Sequence, residues 1–407
     1  MSILFARSNL RIVAGRAVIA LCVALWASAA MAVVEGETDT SPFTQSGGDW
    51  EGMNWDYVGS VNVGSAVAVG RRFMLTNRHF TTLPGHTVTV EGVDYTVEEA
   101  IDAPAFLGEL PDLRLLKLTT PLPGYYSLYD GVFDGPNKDL IVVGTGYSGT
   151  INEIDSTWTW STSTSREKRW GTNEFTKFVW KTSGDLKSFV IQVDFNFGDT
   201  AFEAGIAAGD SGGGYFFKDG GEWKLAALPA YVGNLSGSWP PYNISYGITM
   251  FLYADWIRET AVIPGDFNDD GFVNADDIDV LCDNLGDGDL DLDGDADADE
   301  DDLIYLIENL VELQDGSGRV GTKQGDFNLD GLVDGTDLAI MKTGFGQTGL
   351  GYAGGNANCD ALVDATDLAI LKANFGFIAL AGGPVPEPAT MGLLSLGGLA
   401  LLRRRKK

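Results

Sequence analysis

The sequence predicts a mainly β protein that ends in small α-helical modules, and three observations carry that expectation. Residues 33–262 alternate short runs of β-branched and aromatic residues with Gly, Pro, Asn and Asp, as in GSAVAVG, HTVTVEGVDYTV, DLIVVGTG and FVIQVDFNF. The composition changes abruptly at Pro264 into acid-rich text. Within that text GDFNDDGFVNADDIDVL and GDFNLDGLVDGTDLAIM repeat one pattern 60 residues apart, and each runs into a short apolar helix.

The chain has 407 residues and a net charge of -30. That length allows two or three domains with real cores. Between Ile263 and Leu380 there are 27 Asp and Glu against 4 Lys and Arg, so -23 of the charge lies there. Such a segment repels a phosphate backbone, which excludes nucleic acid as a partner and leaves a solvated acidic stalk or bound cations.

Taken in order, the N-terminus reads as a signal peptide over residues 1–32. Arg7, Arg11 and Arg16 supply positive charge, Ala17 to Ala29 is an apolar run too short to span a bilayer comfortably, and Ala30-Met31-Ala32 gives a small-x-small cleavage site. Val33 is then the first mature residue. The strand-rich stretch 33–262 comes next, long enough for one or two small antiparallel barrels. Its single convincing helix is at the end, Phe251 to Arg258. It contains no cysteine, so only its core holds it together; Cys282 and Cys359 lie beyond it, and their pairing stays open.

Three residues of this domain stand in an order that suits nucleophilic chemistry. His79 closes FMLTNRHF, Asp112 opens DLRLLKL, and Ser211 sits in AAGDSGGG. A serine nucleophile needs a histidine to take its proton, and the histidine needs a carboxylate to fix its tautomer. Asp94 and Asp102 also lie between His79 and Ser211 and remain alternatives to Asp112.

GSAVAVGRRFMLTNRHF resembles the strand–turn–histidine segment of chymotrypsin-like serine proteases. DLRLLKL resembles their aspartate strand, GDSGGG their nucleophile loop, and YGITMFLYADWIRE their closing strand and helix. The resemblance spans nearly all of residues 55–260 and implies a double antiparallel β-barrel. It implies a serine endopeptidase in which Ser211 attacks, His79 is base and then acid, and Asp112 orients His79. The N–H groups of Gly209 and Ser211 would form the oxyanion hole, and no cofactor is needed for catalysis. The pocket for the substrate side chain would have Gly205 and Ile206 at its base and Ala230 and Tyr231 on its wall. With no acid there, small or apolar side chains are expected. The sequence departs from the family at Phe80, where many relatives have cysteine. Arg78, beside the histidine, is expected to face solvent. The resemblance also implies that a free Val33 amine could insert beside Asp210; the plainer reading is that residues 33–48 are a loose lead.

The acidic segment carries oxygen ligands at loop positions 1, 3, 5, 9 and 12, with Gly at 6. In the first repeat these are Asp266, Asn268, Asp270, Asn274 and Asp277, around Gly271. In the second they are Asp326, Asn328, Asp330, Asp334 and Asp337, around Gly331. The carbonyls of Phe272 and Leu332 would fill position 7. A weaker loop is read at Asp289, Asp291, Asp293 and Glu300, and another at Asn356, Asn358, Asp360, Asp364 and Asp367. Hard oxygens at this spacing predict Ca²⁺. The loop–helix pairs resemble dockerin modules, placed at 263–316 and 317–380. A cohesin-like partner and a spacer role are both compatible with them.

The last segment, 384–407, has Pro386-Glu387-Pro388, an apolar stretch from Ala389 to Leu402, and Arg403 to Lys407. This order resembles the PEP-CTERM sorting tail of Gram-negative bacteria, which an exosortase recognises and removes. The whole sequence is therefore expected to be a protein displayed at the cell surface or in the extracellular matrix. Its expected partners are signal peptidase, an exosortase-type enzyme and a peptide or protein substrate. The rival readings are a protease-shaped binding module without activity and a calcium-dependent scaffold or adhesin.

Overall fold

The structure is a computed structural model that describes residues 33–35, 52–163, 165–234 and 240–379. The signal peptide and the sorting tail expected from sequence lie outside the described residues. No helix among the described residues is long and apolar enough to cross a membrane.

The chain is mainly β through residue 249. A short strand β1 (Val34–Glu35) is followed by β2 (Val58–Val61), β3 (Gly64–Gly70), β4 (Phe73–Thr76), β5 (Thr87–Val90), β6 (Val93–Asp102) and β7 (Arg114–Leu118). The last six close a barrel in the order β2-β3-β4-β7-β6-β5. Then come β8 (Lys138–Gly144), the ribbon β9 (Gly149–Asn152) and β10 (Thr157–Trp160), β11 (Arg169–Ser183), β12 (Leu186–Asp194), β13 (Ala204–Gly205), β14 (Gly214–Asp219), β15 (Glu222–Gly233) and β16 (Ile244–Thr249). A second closed barrel runs β11-β12-β16-β15-β14-β8, and β1 pairs with β13.

Alternation explains why so many strands are buried on both faces. In β3 and β4, Ala66, Ala68 and Met74 fill the first barrel with Leu116 of β7. Their neighbours Val67, Phe73 and Leu75 turn outward and pack with Ile141, Val143, Val190 and Ile248 of the second barrel. Leu140 and Val142 fill that second barrel with Phe175, Ile191 and Tyr215. The interior between the barrels is thus built from the second face of strands that already line one core.

Helix α1 (Ala254–Thr260) covers this interior with Ala254 and Ile257, three residues later than the sequence suggests at its start. Helices α2 (Ala275–Asp283), α3 (Glu300–Tyr305), α4 (Gly335–Gly344) and α5 (Ala365–Asn374) follow, each behind an acidic loop. The two loop–helix pairs share one apolar cluster, from Val273 and Ile278 through Phe327, Met341 and Tyr352 to Leu371. Cys282 and Cys359 form a disulfide across a separation of 77 residues. Asp279 also accepts from the Tyr352 N–H at 2.7 Å.

Candidate active site

β4 and β7 are antiparallel neighbours with Thr76 opposite Arg114. This register sets the turn after β4 beside the residues that lead into β7. His79 and Asp112 meet there for that reason. Asp112 is fully buried. It accepts the His79 backbone N–H at 2.8 Å through Oδ1 and bonds His79 Nδ1 at 2.6 Å through Oδ2. An ionised carboxylate only accepts, so Nδ1 carries the proton and Nε2 keeps a free lone pair. The His79 side chain is about a third exposed, at 36 %.

Other groups hold Asp112 in turn. Asn77 donates to its carbonyl at 2.9 Å, and its N–H donates to Ser188 Oγ at 3.0 Å. The Tyr231 hydroxyl is 3.4 Å from Ser188 Oγ. Burial, and then the Asp112 charge, push the Tyr231 phenol above the ordinary tyrosine range. The competing acids are engaged elsewhere. Asp94 accepts from Thr89 at 2.7 Å. Asp102 binds Arg114 at 2.7 Å and Arg78 at 3.1 Å, which draws Arg78 away from the imidazole.

Ser211 lies in a turn with left-handed glycines on both sides, Gly209 at φ +97° and Gly212 at φ +87°. A Cβ on Gly212 would come within 2.0 Å of the Ser65 carbonyl oxygen, so glycine is required there on two counts. The Ser211 carbonyl accepts from Ser65 N–H at 2.8 Å, and Gly212 N–H donates to Pro229 at 3.0 Å. Ser65 Oγ donates to the Gly209 carbonyl at 2.8 Å. Ser211 Oγ is 3.5 Å from the Ala230 carbonyl, and no hydrogen bond joins it to His79 among the described residues. The N–H groups of Gly209 and Ser211 find no acceptor among the described residues.

Asp210 anchors this turn from below. It accepts from Gly146 N–H at 2.8 Å and Ala207 N–H at 2.7 Å. Burial pushes its pKa up to about 7, although those N–H groups and the nearby Arg169 and Arg166 oppose the rise. Arg166 was not singled out by the sequence. It donates to the carbonyls of Asn62, Gly64 and Thr145 at 3.0, 2.8 and 3.0 Å and so ties the two barrels together beside Gly209. No motif flags it, because its partners are backbone atoms from distant segments.

Of the four residues expected to line a substrate pocket, Gly205, Ile206 and Ala230 are buried and Tyr231 is half-buried. The Trp158 indole fills the space over Gly205, where an added Cβ would lie 2.4 Å from Trp158 Cε2. Trp158 Nε1 donates to the Ile206 carbonyl at 2.9 Å. The Tyr231 hydroxyl lies 3.4 Å from Ser188 Oγ. Counting six residues back from the serine locates the backbone but not what covers it. At the other end, Val33 is fully buried in the cluster that holds Ala204 and Ile206, and β1 is paired, so residues 33–35 are not a loose lead.

In the acidic loops, Asp277 accepts from the N–H groups of Phe267, Asn268 and Asn274 at 2.8, 3.2 and 2.9 Å. Asp337 repeats this with Phe327 and Asp334, both at 2.8 Å. Asp266 accepts from Asp270 and Gly271, and Asp326 from Asp330 and Gly331. Burial pushes the carboxyls of Asp266 and Asp326 up to about 6, and neighbouring carboxylates add to the rise. Neither of the two has an ion pair with Lys or Arg among the described residues. An all-oxygen set of partly buried carboxylates without a counter-charge is the chemistry that a hard cation satisfies.

The third loop differs in register from the sequence reading. Asp302, not Glu300, occupies the twelfth position, accepting from Leu292, Asp293 and Asp299 at 2.7, 3.1 and 2.8 Å. Asp291 takes the first position, accepting from Gly294 and Ala296. Oxygens of Asp291, Asp293 and Asp302 lie within 4.8 Å of one another. Asp289 falls in a 3-10 turn before the loop, and exposed Glu300 is the first residue of α3. The cause is the cap: Asp299 caps α3 as Asn274 caps α2, and the cap sets the twelfth residue three positions later.

Residues 384–406 match the PEP-CTERM protein-sorting motif. Among solved structures, the chain is similar to the inactive form of Rv3671c protease, at 12 % identity and a TM-score of 0.35, over 50 % of this chain and 88 % of that one. A likeness of that size bears on neither activity nor specificity. No curated protein matches the chain.

Proposed function

We propose that residues 33–262 are a chymotrypsin-like serine endopeptidase that is exported and displayed through its C-terminal sorting motif. The observation that carries this reading is the double hold of Asp112 on His79, at 2.6 and 2.8 Å, together with a glycine turn that carries Ser211 and two N–H groups with no acceptor among the described residues. Ser211 Oγ turns from the Ala230 carbonyl toward His79 Nε2, gives up its proton and attacks the peptide carbonyl. Asp112 keeps Nε2 as the accepting nitrogen and stabilises the imidazolium that forms. Gly209 and Ser211 N–H groups meet the developing oxyanion, an interaction of the kind worth about 100- to 1000-fold in rate per donor. Trp158 over Gly205 supports a preference for small side chains. The buried place of Val33 near Ile206 is compatible with activation by signal cleavage; adding one residue before Val33 without loss of activity removes that step.

Ca²⁺ belongs to the acidic loops in this reading, held by carboxylates such as Asp266, Asp270 and Asp277, with no part in peptide hydrolysis. The test of the enzyme is a fluorophosphonate probe on the full chain. Labelling that disappears in Ser211→Ala is the expected outcome. A wild-type chain that takes no label, before or after signal cleavage, instead identifies a binding module of protease shape.

A further inference from the structure

We propose that the first acidic loop, 266–277, is a cation-dependent clamp on the barrel unit, docked on the β3–β4 hairpin that leads to His79. The inference rests on the Ca²⁺ reading of that loop and goes beyond it. Arg71 and Arg72 form the turn between β3 and β4. Arg71 Nε donates to the Asp269 carbonyl at 2.6 Å, and the Tyr125 hydroxyl donates to Asp269 Oδ2 at 2.8 Å. Arg72 grips both carboxylate oxygens of Glu312, at 2.8 and 3.0 Å, with its guanidinium 5.2 Å from the Phe272 ring centroid. Gly271 lies so close to the barrel that a Cβ there would be 2.4 Å from Pro121 Cβ.

Docking residues and expected ligands alternate on one short stretch. Asp266, Asn268 and Asp270 supply oxygens to the cation, while Asp269, Gly271 and Phe272 face the barrel. The Phe272 carbonyl is expected at the cation and its ring lies on Arg72. A cation that draws positions 1, 3, 5 and 7 together therefore fixes the three residues that touch the hairpin. Without it, Asp266, Asp270 and Asp277 repel one another and the stretch loosens. The second loop has no such role, because its Gly331 packs on Leu313 and Ala379. Linkage is reciprocal, so docking raises the cation affinity of the first loop by the same factor that the cation strengthens docking.

Trp26 lies in the expected signal peptide and the other nine tryptophans lie between residues 50 and 256, so after signal cleavage tryptophan emission reports the barrel unit alone. The experiment is thermal unfolding of the full chain followed by that emission, in Ca²⁺ and in chelator, with calorimetric Ca²⁺ titration of the same protein. At a hundredfold excess over Kd the emission midpoint is expected to rise by about 5 °C. Asp270→Ala removes the rise, whereas Asp330→Ala in the second loop keeps it. Arg71→Ala with Arg72→Ala removes the rise and weakens one Ca²⁺ site by about tenfold, the size of an ordinary coupling. Tyr125→Phe, which deletes one exposed hydroxyl, gives a smaller rise and serves where the double variant does not fold. Ca²⁺ heats with an unmoved midpoint, or a rise that persists in Asp270→Ala, overturn the clamp and leave the Ca²⁺ reading standing. Absence of any Ca²⁺ heat overturns both.

Discussion

At the scale of single residues, Tyr231 shows how position and environment can separate. Its hydroxyl belongs to the Asp112 cluster through Ser188 rather than to a pocket wall. Tyr231→Phe keeps the ring and removes a donor facing the Asp112 charge. Asp112 is then held less firmly behind His79, and the probe-labelling rate is expected to fall several-fold with the circular dichroism unchanged. An unchanged rate would reduce Tyr231 to packing. Trp158 offers a second check. Trp158→Ala leaves space above Gly205, costs about 3–5 kcal/mol by analogy with other buried aromatic truncations, and shifts cleavage toward larger side chains in a peptide library. His79 and Asp112 were legible in the sequence because each sits at the end of an apolar strand and those strands are neighbours. The cover over Gly205 was not, because the indole that supplies it comes from a ribbon some fifty residues upstream of the serine.

Elements carry the pH response. Glu203, just before β13, is buried and accepts from Asn196 N–H, Thr200 N–H and the Thr200 hydroxyl. Burial pushes its pKa up to about 7, against 4.5 for an ordinary glutamate. An acid whose folded pKa lies above its unfolded value holds its proton more tightly when folded. As pH rises through that window the unfolded chain has already released the proton, so stability falls. Glu203→Gln removes this contribution and flattens the decline between pH 4.5 and 7, read as the tryptophan-emission midpoint. The acidic loops teach a different lesson about reading sequence. Aspartates occupy every odd position from 287 to 299, so the ligand pattern fits at more than one register. Only the helix cap at Asp299 selects one. In the repeats at 266 and 326, sparser acids with a glycine at the sixth position left no such freedom.

For the whole molecule, the boundary at 262–263 was plain in composition, yet composition is silent about docking. The charge change marks where the text changes, and Arg71, Arg72 and Glu312 decide that the two parts touch. The disulfide is likewise a property of the assembled helical part. Replacing Cys282 and Cys359 by serine is expected to cost that part about 2–4 kcal/mol, as for other loops of this length. Urea unfolding followed by far-ultraviolet circular dichroism measures it.

The grip of Arg72 on Glu312 has a practical corollary for dissecting the protein. A fragment ending at residue 262 keeps a guanidinium only 9 % exposed in the intact chain but loses the carboxylate that neutralises it. Such a fragment is expected to be less soluble, and to melt lower, than one extended through residue 379. Activity assays on truncated chains will therefore underrate the barrel half unless its helical neighbour travels with it.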